Sequence, residues 1–406
     1  MKALVLIVAG TLAFSSVQAQ EASKAPSVRP EVGKVLQAAV DLLKSKKGKE
    51  TLAKLKEADA IGDKTAFETY MIERVRGQAA AQAGDASVAA HSLESAALSS
   101  SAPAGDRQTL LAAAAGQYYM AKDYGHCADL ASRYLKEGGS DPALRTLYVQ
   151  ALYLGNNLAE AGKQLAALLD AQEQSGKPAS EDQLQLYSDI CLKQHDTVCY
   201  TVALEKLLMR YPKPDYWLRA IYELTKSSSF PSRHALDVFR LKLATHTMRS
   251  TGEYFEAAQL SLQDGYPAEA KDTIDRGYAA GLLGTGSEAD RHRRLRDMAT
   301  KALAEDTKTL GQDDAAASAA KDGTVLINTG FNYVLRSQAD KGLAMMEQGL
   351  KKGGLKHPED GKLKLGIALV IAGRGQQAAQ TLATVHGTDG TAELARLWSV
   401  AARQSH

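Results

Sequence analysis

Apolar residues recur along this chain at helical spacing, in blocks that repeat every thirty-odd positions. Each block reads as an apolar helix, a short turn that often holds glycine, and a second helix with a small residue near its start. The clearest block runs Gly77-x-x-Ala80, then Gly84-Asp85, then Ala89, Leu93 and Ala96. Ala115, Cys127 and Tyr134 lie 38 positions beyond Gly77, Ala89 and Ala96. Near the C-terminus, Gly330, Tyr333, Gly342, Met346 and Gly349 recur 36 positions later as Gly366, Leu369, Ala378, Leu382 and Val385. Weaker units fall between, around Val149 to Leu168, Ser188 to Pro212, Trp217 to Leu243 and Ala258 to Gly277.

The pattern has a physical reason. Where two antiparallel helices cross closely, the residue at the crossing must be small, and larger neighbours fill the grooves beside it. One pair leaves an apolar face open, and stacking further pairs covers it. The expected fold is therefore all-α, a right-handed superhelical solenoid of roughly eight to nine helix pairs, with 391–404 (Leu394, Leu397, Trp398, Ala401) as a capping helix. Surface loops are expected at 99–106 and 174–180. Between the glycines at 281–286 and Gly323, a long charged helical pattern with few large apolar residues interrupts the rhythm. The expected organisation is a leader at 1–19, a repeat array at 20–283, an irregular segment with a hinge at 284–322, and further repeats with the cap at 323–406.

The leader reading rests on Lys2, an apolar stretch from Ala3 to Phe14, and small residues before a cut after Ala19. That stretch is shorter than the ~20 residues that span a bilayer, no later segment exceeds it, and Gln20 stands where a lipoprotein would carry cysteine. A periplasmic protein without stable membrane insertion is the expectation. A formal net charge of +2, from 49 basic and 47 acidic side chains, supplies no field for nucleic acid. Aromatic residues at 6% and ten prolines suit helices packed through small residues better than a sheet.

This small-residue spacing resembles the tetratricopeptide family over essentially the whole mature chain, although no unit carries the family's full consensus. The segments 211–217, 352–358 and 387–392 are similar to segments of exported tetratricopeptide proteins of Gram-negative bacteria, some of which accompany TonB energy-transduction machinery. The resemblance implies protein or peptide binding in a concave groove, no catalysis and no cofactor, with an inner-membrane TonB-type complex as a partner. The alternative is a receptor module for a small envelope ligand or glycan strand.

Groove candidates follow from position on the first helix of each pair: Arg74, Gln78, Tyr119, Gln150, Tyr153 and Arg219. Arg and Gln hold carbonyls and carboxylates, and Tyr adds apolar area with a polar tip. The alternative for each is an ordinary exposed side chain. Cys191 and Cys199 flank a predicted helical turn and are the expected disulfide, against two reduced buried thiols; Cys127 is expected to be an inert core thiol. No catalytic constellation emerges. Lys47-Gly48-Lys49-Glu50-Thr51 lacks the preceding glycine of a phosphate loop and carries Glu50, which repels phosphate, and Gly281 to Gly286 lacks a preceding strand. Histidine and cysteine spacing fits no zinc site; His195 beside the cysteine pair is the one local cluster with metal-ligand side chains. The lysines at 44–56 read as a solvated terminal repeat, and Arg291, Arg293, Arg294 and Arg296 as a contact surface.

Overall fold

The computed structural model describes residues 27–228 and 230–404, so the expected leader at 1–19 lies outside the described residues. Among the described residues the chain is helical throughout, in twenty α-helices and one 3-10 turn. They are α1 (Pro30–Lys44), α2 (Gly48–Asp59), α3 (Ala66–Ala83), α4 (Ala86–Leu98), α5 (Ala104–Met120), α6 (Tyr124–Lys136), α7 (Pro142–Leu154), α8 (Leu158–Gln174), α9 (Glu181–Lys193) and α10 (Thr197–Arg210). There follow α11 (Pro214–Thr225), the 3-10 turn Ser232–His234, α12 (Ala235–Ala244), α13 (Thr251–Gln263), α14 (Pro267–Ala279), α15 (Ala289–Ala319), α16 (Thr324–Leu335), α17 (Ala339–Lys352), α18 (Pro358–Ile371), α19 (Gly375–Leu382) and α20 (Thr391–Gln404). In chain order these make nine helix pairs, the single long helix α15 between the seventh and eighth, and the terminal α20. The all-α helical-repeat solenoid expected from the periodicity is what forms.

Two compact units are present: 27–179 with 190–195, and 180–189 with 196–404. Each is built by the same local rules. The turn inside every pair but α11–α12 places one residue in the left-handed region, and the next but one begins the second helix. Gly84, Gly265 and Gly373 fill that position as expected, but Lys46, Lys122, Asn156, His195 and Ser337 fill it too, with φ of 57–61°. The residue that follows commonly caps the second helix: the side chains of Asp85, Asp123, Asn157 and Asp196 accept from the backbone N–H of Val88, His126, Glu160 and Cys199.

In the first unit the crossings are lined by small buried residues, Ala79 and Ala80 on α3 with Ala89 and Ala96 on α4. A Cβ added to Gly77 would lie 2.5 Å from the Leu93 side chain, so the small residue is sterically required. The entry to this unit is pinned by Glu68, fully buried at the start of α3. It completes a capping box with Thr65 and receives the Arg29 backbone N–H at 2.8 Å and its guanidinium at 3.0 Å. The Arg29 hydrogen bonds hold the Glu68 carboxyl at about 2 against the opposing pull of burial.

In the second unit the closest approach is between α16 and α17. A Cβ on Gly330 would sit 2.5 Å from the Gly342 carbonyl oxygen, and one on Gly349 would sit 2.7 Å from that of Gly323. The backbones touch there with no side chain between them. The 284–322 segment contains α15, a single 31-residue helix packed on α13, α14 and α16. Asp306 binds Asn332 and Arg336, while Asp314 binds Tyr333 and Lys341. Helix α20 covers α18 and α19, as a cap should. It also packs on α10, α11 and α12, so the second unit closes on its own beginning.

Candidate functional site

Five of the six groove candidates lie in the first unit. Arg74, on α3, is engaged: its guanidinium reaches Asp106 of α5 at 2.6 Å and the Tyr70 hydroxyl at 3.2 Å. Tyr70 also donates to Asp106, and burial followed by that carboxylate pushes its phenol up to about 12. Gln78 is exposed on the same helix, and Gln150 is half-buried on α7. Tyr119 packs edge-to-face on Tyr124 at 5.6 Å, and the Tyr153 hydroxyl receives Lys193 Nζ at 2.5 Å, with the ammonium 4.3 Å from the ring centroid. Arg219 belongs to the second unit, exposed on α11.

Beside the two tyrosines stand residues that sequence reasoning passed over. Met120 and Leu154, the last residues of α5 and α7, are 54% and 45% exposed. Each precedes the left-handed turn residue, Lys122 or Asn156, by the same two positions, as Tyr119 and Tyr153 precede it by three. Two consecutive first helices thus end in an aromatic–aliphatic pair whose aliphatic member faces solvent. The register of the turn is the signal that would have found it.

In the second unit a buried ionic network joins the 3-10 turn and α12 to later helices. Arg240, 5% exposed, makes a bidentate pair with Glu269 at 2.6 and 2.7 Å and donates to Asp237 at 2.7 Å. Its guanidinium lies over the Phe331 and Tyr266 rings at 4.6 and 5.1 Å. Burial pushes the Asp237 carboxyl up, but the His234 hydrogen bond and the Arg240 charge outweigh it and hold the group at about 2. His234 contacts Thr391 of α20 at 2.9 Å, and Arg233 bridges Asp360 and Asp389, each at 2.6 Å. Arg396 of α20 reaches Glu205 of α10 at 3.0 Å, and Gln404 donates to the Leu208 carbonyl at 2.6 Å. These contacts fasten α20 to the helices it meets.

Where α20 and the preceding turn approach α10 and α11, they leave a cavity of about 230 Å³. Its walls combine apolar side chains, Leu204, Leu224, Phe230 and Leu397, with four carboxylates, Glu205, Glu223, Asp389 and Glu393. Three cations answer the four acids from outside the lining: Arg396 for Glu205, Lys226 for Glu223 and Arg233 for Asp389. Glu393, its side chain 40% exposed, meets Arg396 at 3.7 Å through Oε1, while its Oε2 is buried without a hydrogen-bond donor.

The lysines at 44, 46, 47, 49 and 56 are exposed, as a solvated terminal repeat requires. The arginine cluster on α15 is largely engaged within the chain. Arg291 lies 4.2 Å over Phe255, Arg293 pairs with Asp290, and Arg296 pairs with Asp275 over the Tyr278 ring. Cys127 is a free buried thiol, pushed up to about 12 by burial. Among the described residues, no group of three or more His, Cys, Asp or Glu is disposed to hold a metal, and no helix is long and apolar enough to cross a membrane.

The paired helices, the crossings through small residues at 34–39-residue spacing and the repeated capped turn decide the architecture. The fold is tetratricopeptide-like. No family model matches the chain, and no curated protein matches it. Among solved structures, a tetratricopeptide repeat protein from Parabacteroides merdae is 12% identical, covering 74% of this chain and 99% of its own, with a TM-score of 0.32. The maize pentatricopeptide repeat protein PPR10 is 15% identical, covering 88% of this chain and 54% of its own, also at 0.32. Superposition at this level adds nothing to what the chain's own hairpins establish.

Proposed function

We propose that this protein is a non-enzymatic scaffold that binds other proteins or peptides through the first unit of its helical-repeat fold, after export to the periplasm. The observation that carries the reading is the repeated pair Tyr119-Met120 and Tyr153-Leu154, which presents exposed apolar area beside polar tips at matched positions of neighbouring hairpins. Interfaces concentrate their energy in such aromatic and aliphatic anchors, with a polar rim around them. Gln78 and Gln150 supply that rim, whereas the Arg74 charge already belongs to Asp106. Export rests on the leader pattern at 1–19, and an envelope energy-transduction complex of the TonB kind is the partner that the resemblance of the short segments suggests.

Cross-linking affinity purification from the native envelope tests the binding surface. Wild type and the double variant Met120→Asp/Leu154→Asp are compared, with helicity and melting checked for both. The expected outcome is a defined partner enriched by wild type and lost from the folded variant; an unchanged partner set refutes the assignment. Export is checked by the intact mass of the native protein. A chain beginning at Gln20 agrees with it, and one beginning at Met1 overturns it.

A further inference from the structure

We infer that a second cavity of this unit, between the end of α12, the start of α13 and the end of α14, binds a phosphoryl group, free or on a small organic stem. It measures about 250 Å³ and is lined by Lys242, Leu243, His246, Met248, Tyr254 and Arg276. Three observations converge on that chemistry. The first is the sign of the wall, which holds two cationic side chains and an imidazole but no carboxylate. Glu253 holds Lys242 at 2.7 Å and Asp272 holds Arg276 Nε at 2.8 Å, both from outside the lining. Neither pairing exhausts its cation. One N–H of the ammonium meets Glu253 and two remain, and Arg276 Nη1 and Nη2 make no hydrogen bond among the described residues. The Arg276 and Asp272 side chains are 55% and 59% exposed, so theirs is a solvated pair that holds the guanidinium only weakly.

The second is Tyr254, which is 9% exposed and lies with its ring against Gly277 of α14. Its hydroxyl has no hydrogen-bond partner among the described residues, yet it is not sealed in the core. Buried phenols ordinarily find a partner, and the cavity that Tyr254 lines is where an acceptor can stand. The third is the match of number and size. Lys242 of α12, His246 of the turn, Tyr254 of α13 and Arg276 of α14 bring donors from four separate stretches of chain. A phosphoryl group offers three terminal oxygens and nearly two negative charges to two cations, whereas a carboxylate offers two oxygens and one charge. At about 30 Å³ per water the cavity holds roughly eight waters' worth of ligand, room for that group and a stem of a few carbons against Leu243 and Met248.

The inference stands on second-unit residues, whereas the scaffold test changes first-unit residues, so either can fail without the other. Full-length protein in phosphate-free buffer is titrated by calorimetry with inorganic phosphate and with glycerol 3-phosphate. Acetate, a singly charged oxyanion, and glycerol, the neutral stem, are the controls. At least one phosphate probe is expected to bind saturably and at least tenfold more tightly than either control. Arg276→Gln, at an exposed side chain, and Tyr254→Phe, which removes only the hydroxyl, are each expected to weaken binding fivefold or more while native tryptophan emission and melting are retained. Arg276→Gln decides alone if Tyr254→Phe does not fold. Glycerol 3-phosphate bound more tightly than inorganic phosphate assigns an organic phosphate whose stem lies on Leu243 and Met248; inorganic phosphate bound as well or better assigns the free anion. No saturable binding of either phosphate, binding within tenfold of a control, or a loss below fivefold in either folded variant overturns the inference.

Discussion

Replacing two helical glycines of the second unit with alanine should move stability in opposite directions. At Gly330 the new Cβ would come within 2.5 Å of the Gly342 carbonyl oxygen and 3.0 Å of the Met346 backbone nitrogen. Ordinary contact begins near 3.4 Å, and the obstructing atom is backbone, which cannot rotate aside. The helices must separate, losing packing along the α16–α17 crossing, and overpacking of this kind costs about 1–3 kcal/mol or more. Alanine's better helix propensity returns about 0.8–1 kcal/mol. The 2.5 Å approach to backbone places the cost in the upper part of that range, about 2–3 kcal/mol, so the net expectation is a loss of roughly 1–2 kcal/mol. Gly311, in α15, has nothing within 4 Å of its prospective Cβ, so Gly311→Ala keeps only the propensity gain, about 0.5–1 kcal/mol. The chain's two tryptophans, Trp217 and Trp398, are both buried in the second unit, so their emission reports its unfolding. At about 2–4 °C per kcal/mol, Gly330→Ala should lower the melting midpoint by roughly 2–8 °C and Gly311→Ala should raise it by roughly 1–4 °C. A Gly330→Ala variant that melts at or above wild type would refute the claim that the crossing requires glycine.

Arg240→Ala strands Asp237 and Glu269 without their cation and should destabilise the second unit by about 3–5 kcal/mol in urea, read by tryptophan emission; a loss under about 1 kcal/mol refutes the network's role. The Asp237 carboxyl is held at about 2 in the folded chain, against ~3.9 when unfolded. Its contribution, about 2–3 kcal/mol, is therefore complete above pH ~5 and is lost as pH falls through ~4 toward 2. Asp237→Asn should flatten that limb of the acid denaturation curve, and an unaltered limb would place the acid sensitivity elsewhere. Thiol titration of native protein should find Cys127 unreactive; unfolded without reductant, one thiol per chain is expected if Cys191 and Cys199 are joined, and three thiols would exclude the bridge. Lys122→Gly relieves a left-handed lysine at φ 61° and should leave the first unit as stable or up to about 1 kcal/mol more stable by far-UV melting; a marked loss would show that the turn does not need that conformation.

The repeat was legible because its requirement is steric and local. Gly330, Gly342 and Gly366 occur where backbones or a facing Leu382 leave no room, and such positions recur in register. The turns were legible only in part. Where Gly84 or Gly373 supplies the left-handed residue, the sequence announces it; at Lys122 or Ser337 an ordinary residue is held there by the hydrogen-bonded ends of two helices. The ledge at Met120 and Leu154 was hidden because exposed and buried apolar residues look alike until the turn register is known. The contacts of α20 with α10, and the cavity they form, had no local signature at all. Arg396 meets Glu205 across 191 residues of chain and Gln404 meets Leu208 across 196, distances at which periodicity carries no information.

That long reach gives the second unit a different order of assembly from an open array of hairpins. An open array can gain one pair after another in chain order, each new pair stacking on a finished neighbour. Here α10, α11 and α12 come first in the unit yet keep an uncovered face until α20 docks. The unit must hold that face unfinished through all the intervening helices, so its last step of folding waits on α20, and a chain cut before Thr391 would present an apolar seam for chaperones to guard.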